Sequence, residues 1–212
     1  MEKIQKVDVR CVVGVLANNG NVNPVMAMFL ASQPYMVSEF DCRVFDSREG
    51  ANIFSVFHWM VQQEADVYLY MLGDVCPHPD LVQLLWWRMN QFEDHVVVPP
   101  VWISNNGTKQ LNVKINGEYK KETELCGYEN CDHADTDLIC MDRAAITSLF
   151  MSNSTAEEKE LTALLIDLGI KVKVDWTIEP ITKWEDEIRL YGNKILNAYG
   201  LWFTRVKRGL PI

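Results

Sequence analysis

The sequence predicts an α/β fold in which a doubly wound, mostly parallel central sheet is flanked by helices. Three apolar runs have the composition of strands, at residues 7–16, 42–46 and 67–72, and segments with apolar residues at helical spacing separate them. This order of strand, helix, strand, helix, strand favours parallel strands joined by right-handed crossovers. A chain of 212 residues is long enough for one sizeable core, so we expect residues 1–212 to form a single domain.

The third run, residues 67–72, is the strand at which a ligand is expected. It is apolar and aromatic throughout, and it stops at Gly73 and Asp74. A turn with two prolines follows, and Asp80 then stands at the N-cap position of the next helix. Because ligands of open α/β sheets bind outside the carboxyl ends of the strands, Asp74 is a candidate binding residue. An acidic surface residue in a strand-to-helix turn is the alternative interpretation.

The first two runs also end in polar residues. Ala17 and Asn18 open a turn-rich loop after the first run, and Asp46 ends the second run. A helix is predicted after each of them, and the second helix begins near Asn52. Each unit therefore places a polar loop at the carboxyl end of a strand. Solvated turns are the alternative interpretation of these residues.

The middle of the chain predicts a small β insertion. Residues 96–103 have the composition of a strand that is bent at two adjacent prolines, which places it near an edge of the sheet. Residues 111–116 alternate between apolar and polar side chains, as a half-exposed strand does. Asn116 followed by Gly117 is a strong hairpin signal.

Two later segments concentrate acidic residues. His133 and three aspartates lie within residues 132–137, ahead of an apolar strand. This cluster is a candidate wall of a site, and an acidic solvated loop is the alternative. Glu185 and Asp186 stand at the start of the last predicted helix. Acidic residues at that position also stabilise a helix through its dipole, which is the alternative interpretation of this pair.

In their order along about residues 9–203, these segments resemble GT-A glycosyltransferases, especially the family 2-like nucleotide-diphospho-sugar transferases. In that family a buried strand ends in Asp-x-Asp, where this chain has Leu72, Gly73 and Asp74, and Pro-Asp-Leu opens the next helix, as residues 79–81 do here. The resemblance implies a GT-A-like (Rossmann-like) fold. It also implies that Asp74 holds a divalent metal ion, Mn²⁺ or Mg²⁺, against the diphosphate of a sugar nucleotide. Carboxylate oxygens are ligands that these ions prefer.

The same resemblance implies where the nucleotide of the donor lies. The loop after the first strand contacts the nucleotide in GT-A enzymes, and Ala17 and Asn18 occupy that place here. The acid at the end of the second strand, Asp46, corresponds to the one that hydrogen-bonds the base or the ribose. Asn52 stands at the end of the Ala-Arg-Asn that commonly opens the next helix in the family, although the arginine is absent here.

Gly73 and Asp74 complete the donor site that the resemblance implies, and His133 is a candidate for a further metal ligand. At the start of the last helix, the resemblance implies that Asp186 is the catalytic base of an inverting enzyme, with Glu185 as the next candidate. A base is needed within hydrogen-bond reach because the acceptor hydroxyl loses its proton as its oxygen attacks the anomeric carbon.

Composition and charge limit the binding partners and the cellular location that we expect for the protein. The formal net charge of −9 counts against a general nucleic-acid binder, which would usually have a basic surface. No apolar run approaches the ~20 residues that span a bilayer, and the charged N-terminus does not have the features of a signal peptide. We therefore expect a cytoplasmic protein that does not act at a membrane.

These observations lead us to expect a metal-assisted glycosyltransferase whose donor is a nucleotide-diphosphate sugar, with a UDP-sugar favoured. The acceptor is left open between a small molecule, a protein and a modified base in DNA. A catalytically degenerate module that binds a nucleotide or a partner is the first alternative, because Leu72 replaces an acid. A nucleotidyltransferase is the second, but it would normally have a glycine-rich basic loop after the first strand, where this chain has Asn18-Asn19-Gly20.

Overall fold

A computed structural model describes residues 6–18, 20–92, 95–105, 108–120, 127–135, 137–152, 161–186, 188 and 194–208. The strands in this part of the chain are β1 (Val7–Ala17), β2 (Val37–Asp46), β3 (Val67–Leu72), β4 (Val75–Cys76), β5 (Val96–Val98), β6 (Trp102–Asn105), β7 (Thr108–Leu111), β8 (Val113–Ile115), β9 (Glu118–Tyr119), β10 (Tyr128–Asn130), β11 (His133–Ala134), β12 (Leu138–Met141), β13 (Val172–Asp175) and β14 (Thr182–Lys183). The helices are α1 (Pro24–Ser32), α2 (Ile53–Val61), α3 (Leu81–Phe92), α4 (Arg143–Met151), α5 (Leu161–Asp167), α6 (Trp184–Asp186) and α7 (Lys194–Arg208).

Seven of these strands form the central sheet, in the order β10-β13-β5-β12-β3-β1-β2. β1 is parallel to both β2 and β3, and β13 is parallel to β5. β12 runs antiparallel to both of its neighbours, and β10 runs antiparallel to β13. Five of the seven strands therefore point the same way, which confirms the prediction of a mostly parallel sheet.

Helices cover both faces of the sheet and create two apolar clusters. On one face Val13 of β1 belongs to the same cluster as Phe29 of α1, and on the other face Val12 belongs to the same cluster as Phe57 of α2. Strands that are buried on both faces are apolar along their whole length. This double burial is why β1 and β3 appear as continuous apolar runs in the sequence. Among the described helices, none combines the length and the apolar character that crossing a membrane requires.

The β insertion is present, but one of its strands lies elsewhere than predicted. β8 and β9 form the predicted hairpin, with positive φ angles at Asn116 (54°) and Gly117 (79°) in its turn. Residues 96–103 do not form one bent strand near an edge, because β5 ends at Val98 and lies in the middle of the sheet. The two prolines follow Val98 and so need not supply the N–H groups that an interior strand donates. β6 then begins a separate ribbon with β7.

Candidate functional site

The carboxyl ends of β1 and β3 meet at Gly73. The Gly73 N–H donates to the carbonyl of Leu16 over 2.9 Å, which holds the turn after β3 against the end of β1. A Cβ atom on residue 73 would lie 2.9 Å from Cβ of Ala17, a distance that real Cβ contacts essentially never show. The close approach of these two backbones therefore requires glycine at this position. The structure thus brings Ala17 and Gly73 together, and a contact of either residue with a donor stays a prediction.

Asn23 fixes this edge of the sheet, and the sequence analysis did not include it among the site residues. Its side-chain amide donates to the carbonyls of Gly73 over 3.0 Å and Val75 over 2.8 Å, and its side-chain oxygen accepts from the N–H of Met26 over 2.9 Å. It thereby caps α1 and fastens the turn that carries residue 74. The signal was present in the sequence, because an asparagine directly before Pro24 is the usual N-cap arrangement.

The end of β2 lies beside the end of β1, since Ala17 and Asp46 are partners in the strand register. The Asp46 carboxylate accepts a hydrogen bond from the backbone N–H of Arg48 over 2.9 Å and forms an ion pair with the Arg48 guanidinium at 2.8 Å. The hydrogen bonds from Arg48 hold the pKa of the Asp46 carboxyl below its ordinary value. Nearby, the Ser47 hydroxyl donates to the Asn18 side chain over 3.4 Å. Ala17, Asn18 and Asp46 therefore lie in one region.

Asn52 caps the N-terminus of α2. Its side-chain oxygen accepts from the N–H of Ser55 over 3.0 Å, and the Ser55 hydroxyl lies 3.3 Å from the Asn52 N–H, so the two residues form a capping box. The side chain is thus engaged by its own helix. A contact between Asn52 and a nucleotide stays a prediction.

Asp74 is joined to the C-terminal part of the chain by Lys183 and Trp184. The Trp184 N–H donates to the backbone carbonyl of Asp74 over 2.7 Å, and β4 pairs with β14 so that Val75 lies opposite Lys183. The Lys183 ammonium lies 3.5 Å from Oδ2 of Asp74. The start of α6, which carries Glu185, therefore lies next to the turn that follows β3.

Asp137 completes an ion-pair cluster at this edge. Its Oδ1 lies 2.7 Å from the Lys183 ammonium, and its backbone carbonyl accepts from the N–H of Leu72 over 2.9 Å. The residue is 5% exposed, and its Oδ2 is buried without a hydrogen-bond partner among the described residues. Burial raises the pKa of the Asp137 carboxyl, and the neighbouring carboxylates of Asp74 and Asp135 add to this effect although Lys183 opposes it.

Lys183 remains charged in this setting. Burial alone would disfavour the ammonium, but the attraction of Asp137 and Asp74 outweighs that effect, so the pKa of Lys183 lies above its ordinary value. Its side chain is 26% exposed, and it connects the buried carboxylate of Asp137 with the more exposed one of Asp74. Sequence reasoning did not single out Lys183, because its place depends on the pairing of β4 with β14, two short strands about a hundred residues apart in the chain.

The two predicted catalytic residues lie in α6. Glu185 is exposed, and Asp186 is the last residue of the helix, while the side chain of Asp186 lies outside the described part of the structure. The backbone contact between Trp184 and Asp74 fixes where α6 begins. Residue 186 is therefore two positions along the chain from a residue that touches Asp74.

His133, the predicted further metal ligand, lies in β11 and pairs with the β insertion. Its Nε2 is 3.0 Å from Oδ1 of Asp135, so in the described contacts this ring is engaged by Asp135 and not by Asp74. Across the described residues, no group of three or more His, Cys, Asp and Glu side chains is arranged to hold a metal ion. A metal ion bound by Asp74 and His133 stays a prediction.

The chemistry of the oxygen atoms at this edge nevertheless fits a hard divalent cation. Asp74 offers a carboxylate that is 53% exposed, and Asp137 offers a buried oxygen without a described partner. Mg²⁺ is commonly bound through one or two carboxylates and takes its other ligands from water and substrate phosphates. A pair of carboxylates is therefore sufficient for an ion of this class.

Comparison with known proteins identifies the fold. No protein-family model and no curated protein matches the sequence. Solved structures do match: A197 from STIV has a TM-score of 0.56 and 13% identity over 78% of this chain and 81% of that one. The inositol-1-phosphate CTP transferase of T. maritima has a TM-score of 0.53 and 13% identity over 98% of this chain and 100% of that one. TarS 1-349 of S. aureus has a TM-score of 0.53 and 8% identity over 84% of this chain and 61% of that one.

At identities of 13% or less, these likenesses show the fold alone. Together with the strand order and the helices on both faces of the sheet, they confirm the predicted architecture. The chain has a GT-A-like fold.

Proposed function

We propose that this protein is a glycosyltransferase that moves a sugar from a nucleotide-diphosphate sugar, with a UDP-sugar favoured, to an acceptor hydroxyl. The observation that carries the proposal is the hydrogen bond from Trp184 to Asp74. It places the segment of the candidate base beside the candidate donor-binding acid, although the two are about 110 residues apart in the sequence. A transferase of this type needs both at one edge of its sheet.

The end of the sheet formed by β1 and β2 suits the nucleoside part of the donor. Asn18 contributes an exposed amide side chain there and Asp46 contributes a carboxylate, whereas Ala17 is buried against Gly73 and shapes the end of β1. Asp46 is ionised at neutral pH, as an ordinary aspartate is, and Arg48 lowers its pKa further, so its carboxylate accepts hydrogen bonds only. Ribose hydroxyls and the N–H groups of a base are donors of the kind that such a carboxylate binds.

The diphosphate of the donor belongs at the end of β3. Asp74 would hold Mg²⁺ or Mn²⁺ there, together with water and phosphate oxygens, and the bound ion would offset the negative charge that develops on the leaving diphosphate. Gly73 packs directly against Ala17 and so holds the turn that carries Asp74 at this edge of the sheet. Lys183 adds a positive charge beside Asp74.

The transfer itself requires one base. The acceptor oxygen attacks the anomeric carbon, the bond from that carbon to the diphosphate oxygen breaks, and Asp186 accepts the proton of the acceptor hydroxyl. Attack from the face opposite to the leaving group inverts the anomeric configuration. Glu185, the exposed neighbour of Asp186 in α6, is the second candidate for this base.

A nucleotidyltransferase is the second candidate function. It is favoured by the likeness to the CTP transferase of T. maritima, which spans 98% of this chain. The chemistry of the two functions differs in what leaves: a nucleotidyltransferase releases pyrophosphate from a nucleoside triphosphate, whereas a glycosyltransferase releases a nucleoside diphosphate. Residues 17–23 of this chain contain no lysine or arginine to pair with a triphosphate, and this supports the glycosyltransferase.

Two product measurements distinguish these functions. Purified protein is incubated with UDP- and GDP-sugars in the presence of Mn²⁺, and separately with CTP and sugar phosphates. We expect release of UDP from a UDP-sugar by the wild-type protein and none from the Asp74→Asn variant. Pyrophosphate release from CTP would establish the nucleotidyltransferase instead, and binding of UDP without turnover on any acceptor would establish a degenerate module.

A further inference from the structure

We infer that Asp137 is a second carboxylate ligand of a divalent-cation site at the carboxyl edge of the sheet, and that Lys183 is an internal competitor which the incoming cation displaces. The ligand class is a hard divalent cation such as Mn²⁺ or Mg²⁺. The inference deepens the proposed function and rests on it for the role of the site in donor binding. The site itself is argued from contacts that do not involve a donor.

Asp74 and Asp137 lie on either side of the Lys183 ammonium. The Lys183 ammonium lies 2.7 Å from Oδ1 of Asp137 and 3.5 Å from Oδ2 of Asp74. The two oxygens are therefore no further apart than the sum of these distances. They come from the ends of neighbouring strands, because β12, which follows Asp137, pairs with β3, which precedes Asp74. The backbone bond from Leu72 to the carbonyl of Asp137 fixes this arrangement.

Asp137 has a buried carboxylate oxygen that needs a ligand. Its side chain is 7% exposed, and Oδ2 has no hydrogen-bond partner among the described residues. Buried polar atoms nearly always have a partner, since an unsatisfied one loses the hydration it had in water. An ionised carboxylate only accepts, so the ligand that satisfies Oδ2 is a cation or a hydrogen-bond donor.

The charges of the cluster formed by Asp74, Asp137 and Lys183 also favour a cation. Two carboxylates, Asp74 and Asp137, face one ammonium, Lys183, so the cluster has an excess of negative charge when all three groups are ionised. An excess of negative charge attracts a divalent cation and repels a free phosphate. A cation that brings the diphosphate as a further ligand satisfies both the orphan oxygen and the charge.

The side chain of Lys183 is able to move out of the cluster. Its backbone is fixed by the pairing of β14 with β4, so displacement requires movement of the side chain alone. The side chain is 26% exposed and consists of a flexible stem with a single point charge. Before the cation arrives, the ammonium keeps the two carboxylates from repelling each other. After it arrives, the ammonium is free to turn toward solvent or toward a bound phosphate.

The experiment is a titration of the purified 212-residue chain with Mn²⁺ alone, in which electron paramagnetic resonance measures the free ion. We expect the Lys183→Met variant to bind Mn²⁺ at least tenfold more tightly than the wild-type protein, and the Asp137→Asn variant at least tenfold more weakly. Lys194→Met is the matched control, because Lys194 lies in an exposed ion pair with Glu179 and its removal changes the net charge equally. Its affinity should equal that of the wild type.

The inference is overturned if Lys183→Met binds Mn²⁺ no more tightly than the wild-type protein. It is also overturned if Lys194→Met changes the affinity by as much as Lys183→Met does. Thermal unfolding of each variant identifies a loss of fold, and the Lys183→Met measurement decides the case if Asp137→Asn does not fold. Failure of the two proposals is distinguishable. Tighter Mn²⁺ binding by Lys183→Met without sugar transfer from any donor removes the proposed function and leaves the cation site. Wild-type transfer that persists in EDTA, with the same Mn²⁺ affinity in all variants, removes the cation site and the metal assistance but leaves the sugar transfer.

Discussion

One side chain, Asp186, carries the proton transfer of the proposed reaction. The Asp186→Asn substitution keeps the size of the side chain and removes its ability to accept the proton of the acceptor. We expect the rate of sugar transfer to fall by about 10²–10⁴, the usual contribution of a general base, while the affinity for the donor stays unchanged. The measurement is a steady-state transfer assay together with calorimetric titration of the donor.

Glu185→Gln is the matched control for this substitution, because Glu185 is the neighbouring acid of the same short helix and is exposed. It should transfer sugar at nearly the wild-type rate. Loss of transfer in Glu185→Gln with normal transfer in Asp186→Asn would move the role of base to Glu185.

A second expectation concerns the carboxylate of Asp46. Hydrogen bonds from Arg48 lower its pKa, so the pair stabilises the fold above the ordinary pKa of an aspartate, and this contribution is lost as the pH falls through the lowered value. In the Arg48→Met variant the pKa of Asp46 should rise toward its ordinary value. A pH titration of the side-chain carbon by nuclear magnetic resonance measures it in both proteins. An identical pKa in both would show that Arg48 does not set the ionisation of Asp46.

At the scale of elements, β1 packs against α2 without a side chain at Gly14. A Cβ atom there would overlap Cγ1 of Val56 and lie 2.9 Å from Sδ of Met60. We therefore expect Gly14→Ala to lower the free energy of unfolding by about 1–3 kcal/mol, the usual cost of overpacking. Urea denaturation measures the change.

Gly200→Ala is the control for Gly14→Ala. Gly200 lies in α7, and nothing lies within 4 Å of the Cβ position there. Alanine should stabilise the helix at this position by about 0.5–1 kcal/mol, since it has less backbone entropy to lose than glycine. Equal effects of the two substitutions would contradict the packing of α2 on β1.

A buried ion pair joins α3 to β13. The Arg88 guanidinium donates to the fully buried Asp175 over 2.6 Å, and its other end reaches Thr177. Replacing Asp175 by Asn leaves the arginine without its charge partner, so we expect a loss of about 3–5 kcal/mol in the free energy of unfolding. Glu179→Gln, which breaks an exposed pair with Lys194, should cost at most about 1 kcal/mol. Similar losses in both variants would contradict a structural role for the buried pair.

The local sequence predicts strands that are buried on both faces and helices with regular apolar spacing. It does not predict which distant segments pair with each other. β1, β3 and α2 were predicted because apolar runs and helical spacing are local properties. The antiparallel insertion of β12 between β3 and β5 depends on pairing between residues such as Leu138 and Met71, which no local pattern contains.

The same distinction holds for the candidate site. Asp74 and Asp46 were predicted because strand ends are visible in the sequence. The cluster that Lys183 forms with Asp137 was not, because it requires β4 to pair with β14 and β3 with β12. The sequence shows Asp137 only as part of an acidic stretch. Its burial is a property of the fold.

At the scale of the whole molecule, the proposed function depends on one edge of the central sheet. The ends of β1, β2 and β3 lie side by side in the register of the sheet, and β14 returns to the turn after β3. Donor-binding and catalytic candidates therefore come from opposite ends of the chain. Under the proposed function, the net charge of −9 counts against unmodified nucleic acid as the acceptor, and the acceptor stays open between a small molecule, a protein and a modified base in DNA.

The most direct measurement of the central claim is a crystal structure of the protein soaked with UDP and Mn²⁺. We expect the uridine beside Asn18 and Asp46, and the diphosphate with its metal ion at Asp74, facing the start of α6. UDP bound at any other surface, or a nucleotide at this edge that makes no contact with Asp74, would contradict the proposed donor site.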